Sequence, residues 1–181
     1  MIAIIGDSAS GKTTLIDNFI QRHPEYSKIV TYTTRPIREG EQEGIDYHFV
    51  SDNTFNELSN RDFFVEQAEY RDWKYGVPAA DCNIKNAIAI VTPTGFRTLK
   101  KLGYNPMSIY IYVDRRSRLI QLLLRGDNID ESYRRNLSDV GMFDGITNEV
   151  DYVIENSNYH MTPEQTVFCL EKILETHVKA G

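Results

Sequence analysis

The stretch Ile2-Ala3-Ile4-Ile5-Gly6-Asp7-Ser8-Ala9-Ser10-Gly11-Lys12-Thr13 decides the fold. Residues 2–5 make a short, continuously apolar strand, residues 6–13 satisfy G-x-x-x-x-G-K-[ST], and an amphipathic stretch follows. Strand, glycine-bearing loop and helix in that order predict a phosphate-binding loop, or P-loop. Its glycines let successive backbone N–H groups curl around phosphate oxygens, and the helix N-terminus adds partial positive charge. Lys12 is expected to reach the β and γ phosphates of ATP, and Thr13 to offer its hydroxyl to Mg²⁺. Gly6, Ser8, Ser10, Gly11 and Thr14 complete the expected ATP-binding set. A chance match in a Gly/Ser turn would lack the flanking strand and helix.

Outward from this loop, short apolar runs alternate with longer amphipathic ones. A helix is expected over residues 13–22, with Leu15, Ile16, Phe19 and Ile20 on one side, and His23-Pro24 ends it. Buried strands are expected at 87–91 and 108–113, followed by helices at 94–102 and 115–125, with a last strand at 152–155. The C-terminal helix opens on Thr162-Pro163-Glu164, an N-cap, a first-turn proline and an acid at the positive dipole end. This alternation predicts an α/β fold with a mostly parallel sheet flanked by helices. Between residues 31 and 78 it breaks into polar turns and short strands, including 46–50 and 64–70, with a capped helix near Ser51. That segment reads as an inserted small α+β subdomain. Residues 126–130 separate two arginine-bearing helices and have the polarity of a lid.

The chain has 181 residues, enough for one domain with its own core. A net charge of -6 argues against a nucleic-acid polymer as partner, because such binding needs a surplus of Lys and Arg. No apolar run approaches the roughly 20 residues that span a bilayer, so no membrane is expected. The first residues lack a basic flank and cleavage site, reading as a strand and not a signal peptide, and the expected location is cytoplasmic. Cys82 and Cys169 stand far apart, and His23, His48, His160 and His177 show no metal-ligand spacing.

A second motif runs Thr31-Tyr32-Thr33-Thr34-Arg35-Pro36-Ile37-Arg38-Glu39-Gly40-Glu41 and continues in Gly44-Ile45-Asp46-Tyr47-His48-Phe49. It closely resembles the T-T-R-x-x-R-x-G-E and G-x-D-Y-x-F motifs of guanylate kinases. The resemblance implies that Arg35, Arg38 and Tyr47 hold the phosphate of an acceptor nucleotide. Forked guanidinium donors suit that task on chemical grounds as well. Phe64-Val65-Glu66 and Tyr75-Gly76 continue the likeness, which implies that Glu66 reads guanine through its N1–H and 2-amino donors and that Tyr75 holds phosphate. The helix around Arg125 resembles the family's entry to the ATP lid. The exit helix carries Arg134 and Arg135, while alignment through Leu137 puts Asn136 where the family has its second lid arginine. Asn156 in Val153-Ile154-Glu155-Asn156 matches an asparagine near the nucleotides.

The resemblance covers nearly the whole chain. It implies a single domain with a P-loop core at 1–31 and 79–181, a nucleoside-monophosphate-binding insertion at about 32–78, and a lid at about 125–134. The implied activity is transfer of the γ-phosphoryl of ATP to GMP or dGMP, with Mg²⁺. Two departures fall at the acceptor site, which Thr31, Val77 and Thr92 are also expected to line. Val77 stands where the family has Ser or Thr, and Ile90-Val91-Thr92-Pro93-Thr94-Gly95 lacks the family's Asp-x-Asp, with Thr92 a replacement for one contact. Asp114 either lies near Mg²⁺ or caps the following helix. The departures leave two rivals: a kinase for another deoxynucleotide or a sugar phosphate, and an inactive binding module of the same fold.

Overall fold

The computed structural model describes residues 1–38, 40–70, 72–126 and 128–180. In chain order the elements begin β1 (Ile2–Ile5), α1 (Lys12–Arg22), β2 (Ser27–Lys28), β3 (Tyr32–Thr33), β4 (His48–Phe49) and α2 (Asp52–Ser59). Next come β5 (Phe64–Tyr70), β6 (Trp73–Pro78), β7 (Ala87–Ile90), α3 (Pro93–Lys101) and β8 (Met107–Tyr112). The chain closes with α4 (Arg115–Leu124), α5 (Ile129–Ser138), β9 (Tyr152–Glu155) and α6 (Pro163–Ala180). The protein is a mixed α/β fold with a mostly parallel central sheet, as the alternation of apolar runs implies.

The chain divides into two compact units, Met1–Ala3 with Glu25–Pro106, and Ile4–Pro24 with Met107–Gly181. In the first, β2 pairs in parallel with β7, and a second sheet has the order β4-β3-β6-β5. Its long hairpin, β5 with β6, is antiparallel and sets Glu66 opposite Val77. Helix α3 packs on β5. Helix α2 starts at Ser51, whose side chain accepts from the Thr54 N–H, and its Phe55 stacks on Phe64. Fully buried Ile88, Phe96 and Leu99 fill the core of this unit.

In the second unit β8 pairs in parallel with β9, α1 packs with α6, and α4 with α5. Leu15, Ile16 and Phe19 on α1 meet an interior shared with Val167 and Leu170 on α6, all at most 2% exposed. Asp114 resolves to the cap: its Oδ1 accepts the Ser117 N–H at the start of α4 and its Oδ2 the Asn158 N–H. Among the described residues no helix is long and apolar enough to cross a membrane.

The structure differs from the sequence reading mainly in the second sheet. The strand expected over 46–50 shrinks to β4, held in parallel beside β3 by His48 N–H to the Thr31 carbonyl and Val50 N–H to that of Thr33. Strand β6 has no apolar alternation to announce it, and Gly76 and Pro78 weaken strand propensity. It forms because β5 and β3 offer it ladder partners on both sides.

The parallel pair β8–β9 is pinned at one end by a side-chain clasp. Asp151 Oδ2 accepts from the Ser108 N–H at 2.8 Å and from its hydroxyl at 2.7 Å, and the Ser108 Oγ accepts the Asp151 N–H at 3.0 Å. Ser108 is 1% exposed, so losing the carboxylate strands buried donors. Asp151→Ala is expected to cost about 1–3 kcal/mol, read as a lower urea midpoint at unchanged slope.

Candidate active site

The sequence-predicted residues divide between the two units. The P-loop residues Gly6, Ser8, Ser10, Gly11, Lys12, Thr13 and Thr14 lie with Arg125, Arg134, Arg135 and Asn156 in the second unit. Thr31, Arg35, Arg38, Tyr47, Glu66, Tyr75, Val77 and Thr92 lie in the first.

The P-loop leaves β1 and enters α1 through Gly11, whose φ of 89° suits glycine. Ala9 takes a φ of 63°, a left-handed conformation costly for a residue with a Cβ. The hydroxyl of Tyr159 donates to its carbonyl at 2.5 Å and helps hold it there. Lys12 Nζ donates to the carbonyls of Gly6 and Asp7 at 2.7 and 2.6 Å. Burial lowers the Lys12 pKa to about 8, against the opposing pull of the Asp139 and Asp7 carboxylates. Thr13 and Thr14 are exposed in the first turn of α1.

A buried charge cluster braces this loop. Arg118, 5% exposed, places Nη2 2.8 Å from Asp7 Oδ1 and Nη1 3.0 Å from Asp139 Oδ2. Asp139 Oδ2 also accepts the Ser8 N–H at 2.8 Å, and the Tyr110 hydroxyl donates to Asp7 Oδ2 at 2.8 Å. Burial still raises the Asp7 pKa, although Arg118 and Tyr110 pull it down. Sequence reasoning misses Arg118, Asp139 and Tyr159. The one available signal was Arg118 itself, a charge one helical turn before Leu122 on the buried stripe of α4.

The arginines expected at the lid belong to α4 and α5 or their ends. Arg125 caps the C-terminus of α4 and is exposed, and Arg134 and Arg135 lie on α5. Asn136, at the position matching the family's second lid arginine, is buried instead. Its Oδ1 accepts from Arg115 Nε at 2.7 Å and its Nδ2 donates to the Arg115 carbonyl at 3.2 Å. Asn156 is also buried, and its Oδ1 accepts the Met161 N–H. Asp127, within the expected lid, lies outside the described residues, as does Glu39 of the arginine motif.

In the first unit, Arg35 is 4% exposed, with Nη2 2.6 Å from Glu41 Oε1 and its guanidinium carbon 5.3 Å from the centre of the Tyr47 ring. The same Glu41 accepts the Arg38 N–H through Oε2 at 2.8 Å, so one carboxylate orders both arginine positions. Burial works to raise the Glu41 pKa, but the Arg35 hydrogen bond and charge hold it below the usual value. The Tyr47 and Tyr75 rings meet edge-on at 6.1 Å, and burial raises the Tyr47 pKa. Arg35 Nη1 also donates to the Pro36 carbonyl at 2.8 Å, so Glu41 and backbone hold this guanidinium beside the Tyr47 ring, and forked donors of this kind suit a phosphate.

Glu66 lies apart from these cations. It is 7% exposed, and its Oε1 accepts from the Thr92 hydroxyl at 2.6 Å and the Thr92 N–H at 3.3 Å. Thr92 thereby joins Glu66 to the start of α3, where its Oγ1 accepts the Gly95 N–H at 3.0 Å. A Cβ on Gly95 would fall 1.8–2.1 Å from the Glu66 carboxyl atoms, so only glycine lets this carboxyl lie against α3. Gly95 is a further site residue that sequence reasoning missed.

Burial pushes the Glu66 pKa up to about 7, against the two Thr92 hydrogen bonds. In the folded state the carboxyl therefore holds its proton above the ordinary value of 4.5. Between pH 4.5 and 7 the native state binds more protons than the unfolded one, so this group makes stability fall as pH rises through that window. Glu66→Gln removes the ionisation. Its stability relative to the parent is expected to improve by about 1–3 kcal/mol between pH 5 and pH 8, measured by urea unfolding at both.

Comparison with known proteins identifies the family. A family model described as guanylate kinase matches residues 1–176. The guanylate kinase of Synechococcus sp. (strain JA-3-3Ab) is 31% identical over 180 residues, covering 96% of this chain and 81% of that protein. That of Trichormus variabilis (strain ATCC 29413 / PCC 7937) is 32% identical over 165 residues, covering 88% and 83%. The crystal structure of guanylate kinase from Anaplasma phagocytophilum matches with a TM-score of 0.70 over 98% of this chain and 85% of that one, at 22% identity, a likeness of fold. With a family model spanning nearly its full length and relatives above 30% identity, the chain belongs to the guanylate kinase family.

Proposed function

We propose that this protein transfers the γ-phosphoryl group of ATP to GMP or dGMP. The observation that carries the reading is the P-loop of β1 and α1, complete with Lys12 and Thr13 and braced from below by buried charge. An inactive binding module has no use for a P-loop lysine.

In this reading Gly6, Ser8, Ser10, Gly11, Lys12, Thr13, Thr14 and Asn156 bind ATP, and segment 32–78 is the acceptor-binding insertion. Arg35, Arg38, Tyr47 and Tyr75 hold the acceptor phosphate, with Thr31 beside them. Glu66, with Val77 and Thr92, meets the base, where a carboxylate accepts from the guanine N1–H and repels the lone pair of adenine N1. The acceptor phosphate oxygen attacks the γ phosphorus in line as the bond to the bridging oxygen breaks, so catalysis consists of alignment and charge neutralisation. Lys12, Arg125 and one of Arg134 or Arg135 neutralise the charge on the migrating group. A lid at about 125–134 excludes water during transfer.

The donor set fits Mg²⁺ brought in with the triphosphate. No cluster of three or more His, Cys, Asp or Glu that could hold a metal exists among the described residues, and the Thr13 hydroxyl would supply one hard oxygen ligand. Mg²⁺ ordinarily takes one or two protein ligands, the rest being phosphate oxygens and water. When bound it supplies positive charge to the β and γ oxygens. We further propose a cytoplasmic enzyme acting on free nucleotides, in keeping with the net charge of -6.

Two variants test the reading in an ADP-release assay with GMP. Lys12→Ala is expected to lower kcat by roughly 10²–10³-fold or more while the circular-dichroism spectrum stays unchanged. Near-normal turnover would remove the P-loop from the mechanism. Arg38→Ala is expected to weaken GMP binding by about 10–100-fold in calorimetry, with ATP binding altered less than about twofold. Equal losses for both nucleotides would show that Arg38 does not serve the acceptor.

A further inference from the structure

Guanine brings two neighbouring donors to a carboxylate, N1–H and the 2-amino group, and full recognition gives each its own oxygen. Glu66 has one oxygen already engaged. Its Oε1 accepts both the hydroxyl and the N–H of Thr92, which fills that oxygen's two lone-pair sites. The carboxyl also lies against Gly95, at a distance that leaves no room for a Cβ. Directly across the β5–β6 ladder stands Val77, 3% exposed and without a hydrogen-bonding side chain. Oε2 has no protein partner among the described residues. It is also not sealed, because Ser132 Oγ is the only buried unpartnered side-chain oxygen or nitrogen found there. One oxygen remains where guanine carries two donors.

We propose that the enzyme also phosphorylates 6-oxopurine nucleoside monophosphates that lack the 2-amino group, inosine monophosphate (IMP) being the simplest, and that Thr92 sets this tolerance by occupying Glu66 Oε1. The inference rests on the reading above in which Glu66 meets the base. Hypoxanthine keeps the N1–H that Oε2 accepts and lacks only the amine for which no acceptor is left. Adenine is still refused, since its N1 is itself an acceptor. The transfer balances as it does for GMP. A 5′-phosphate oxygen of IMP forms a bond to the γ phosphorus, the bond from that phosphorus to the β,γ-bridging oxygen breaks, and its electron pair leaves on ADP, giving inosine diphosphate.

The test is kcat/KM with saturating ATP for GMP, IMP and AMP, on the parent, Thr92→Val, Thr92→Ser and Glu66→Ala. A ratio of two acceptors on one preparation cancels the folded fraction, so loss of the α3 cap in Thr92→Val does not obscure the outcome. For the parent, IMP is expected within about tenfold of GMP and AMP far below both, because a second charge-assisted bond would separate them by about 10–150-fold. Thr92→Val, which frees a site on Oε1, is expected to raise the GMP/IMP ratio about tenfold, and Thr92→Ser to leave it unchanged. A parent ratio of 100-fold or more overturns the proposal, as does a ratio that Thr92→Val does not move. If the parent uses neither GMP nor IMP, or Glu66→Ala leaves both unaffected, the underlying assignment of Glu66 falls and this proposal falls with it.

Discussion

Arg118 lies between two buried carboxylates, and the geometry of the phosphate-binding loop depends on that arrangement. Asp7 belongs to the loop itself, and Asp139 accepts the N–H of Ser8. One guanidinium thus ties the loop to α4, which carries it, and to the chain just beyond α5. Removing one partner from such a group leaves an uncompensated buried charge, a loss of about 3–5 kcal/mol. Native stability is itself only about 5–15 kcal/mol, so the cluster can decide whether the loop is formed at all. Its arrangement also explains how Ala9 remains at positive φ, since Asp139 holds the neighbouring Ser8 N–H and Tyr159 the Ala9 carbonyl.

The acceptor side manages its carboxylates differently. Glu41 is paired with Arg35 and is held below its ordinary pKa, as an ion that orders two arginines. Among the described residues no cation pairs with Glu66, which meets a hydroxyl and an amide, and burial raises its pKa to about 7. A carboxyl kept without a counter-charge is poorly solvated and gains from a ligand that brings N–H donors. The two acids divide the work by environment. Under the proposed function, the first orders the arginines that would receive phosphate, and the second would meet the base. The Thr92 hydroxyl determines how much of that second acid remains for a ligand.

Asn136 shows how the same logic separates positions that sequence alignment leaves ambiguous. It is buried in a two-way hydrogen bond with Arg115, whereas Arg134 lies exposed on α5. The Arg115 bonds hold Asn136 inside the helix pair α4–α5, and it brings no cation for phosphate, so the arginines just before it are the ones proposed to serve.

Some of this was legible in the sequence alone. The P-loop, the helix start at Ser51, and the alternation of strands and helices are set by contacts within a few residues, so the local order of glycine, lysine, hydroxyl and apolar residues determined them. Glu66 and the arginine motif were legible as candidates because their residue types and spacing match a family. Their partners were not. Arg118 meets Asp7 and Asp139, Ser8 meets Asp139 from 131 residues away, and Glu66 meets Thr92 from 26 away. Strand β6 is stabilised by neighbours on both edges and not by its own pattern. Such pairings depend on strand register and on which helix face turns inward, and no local rule encodes either. The sequence by itself determined which groups of this protein can do chemistry. Only the tertiary structure decided which of them are already engaged, because a buried donor or acceptor takes whatever partner the fold brings within about 3 Å.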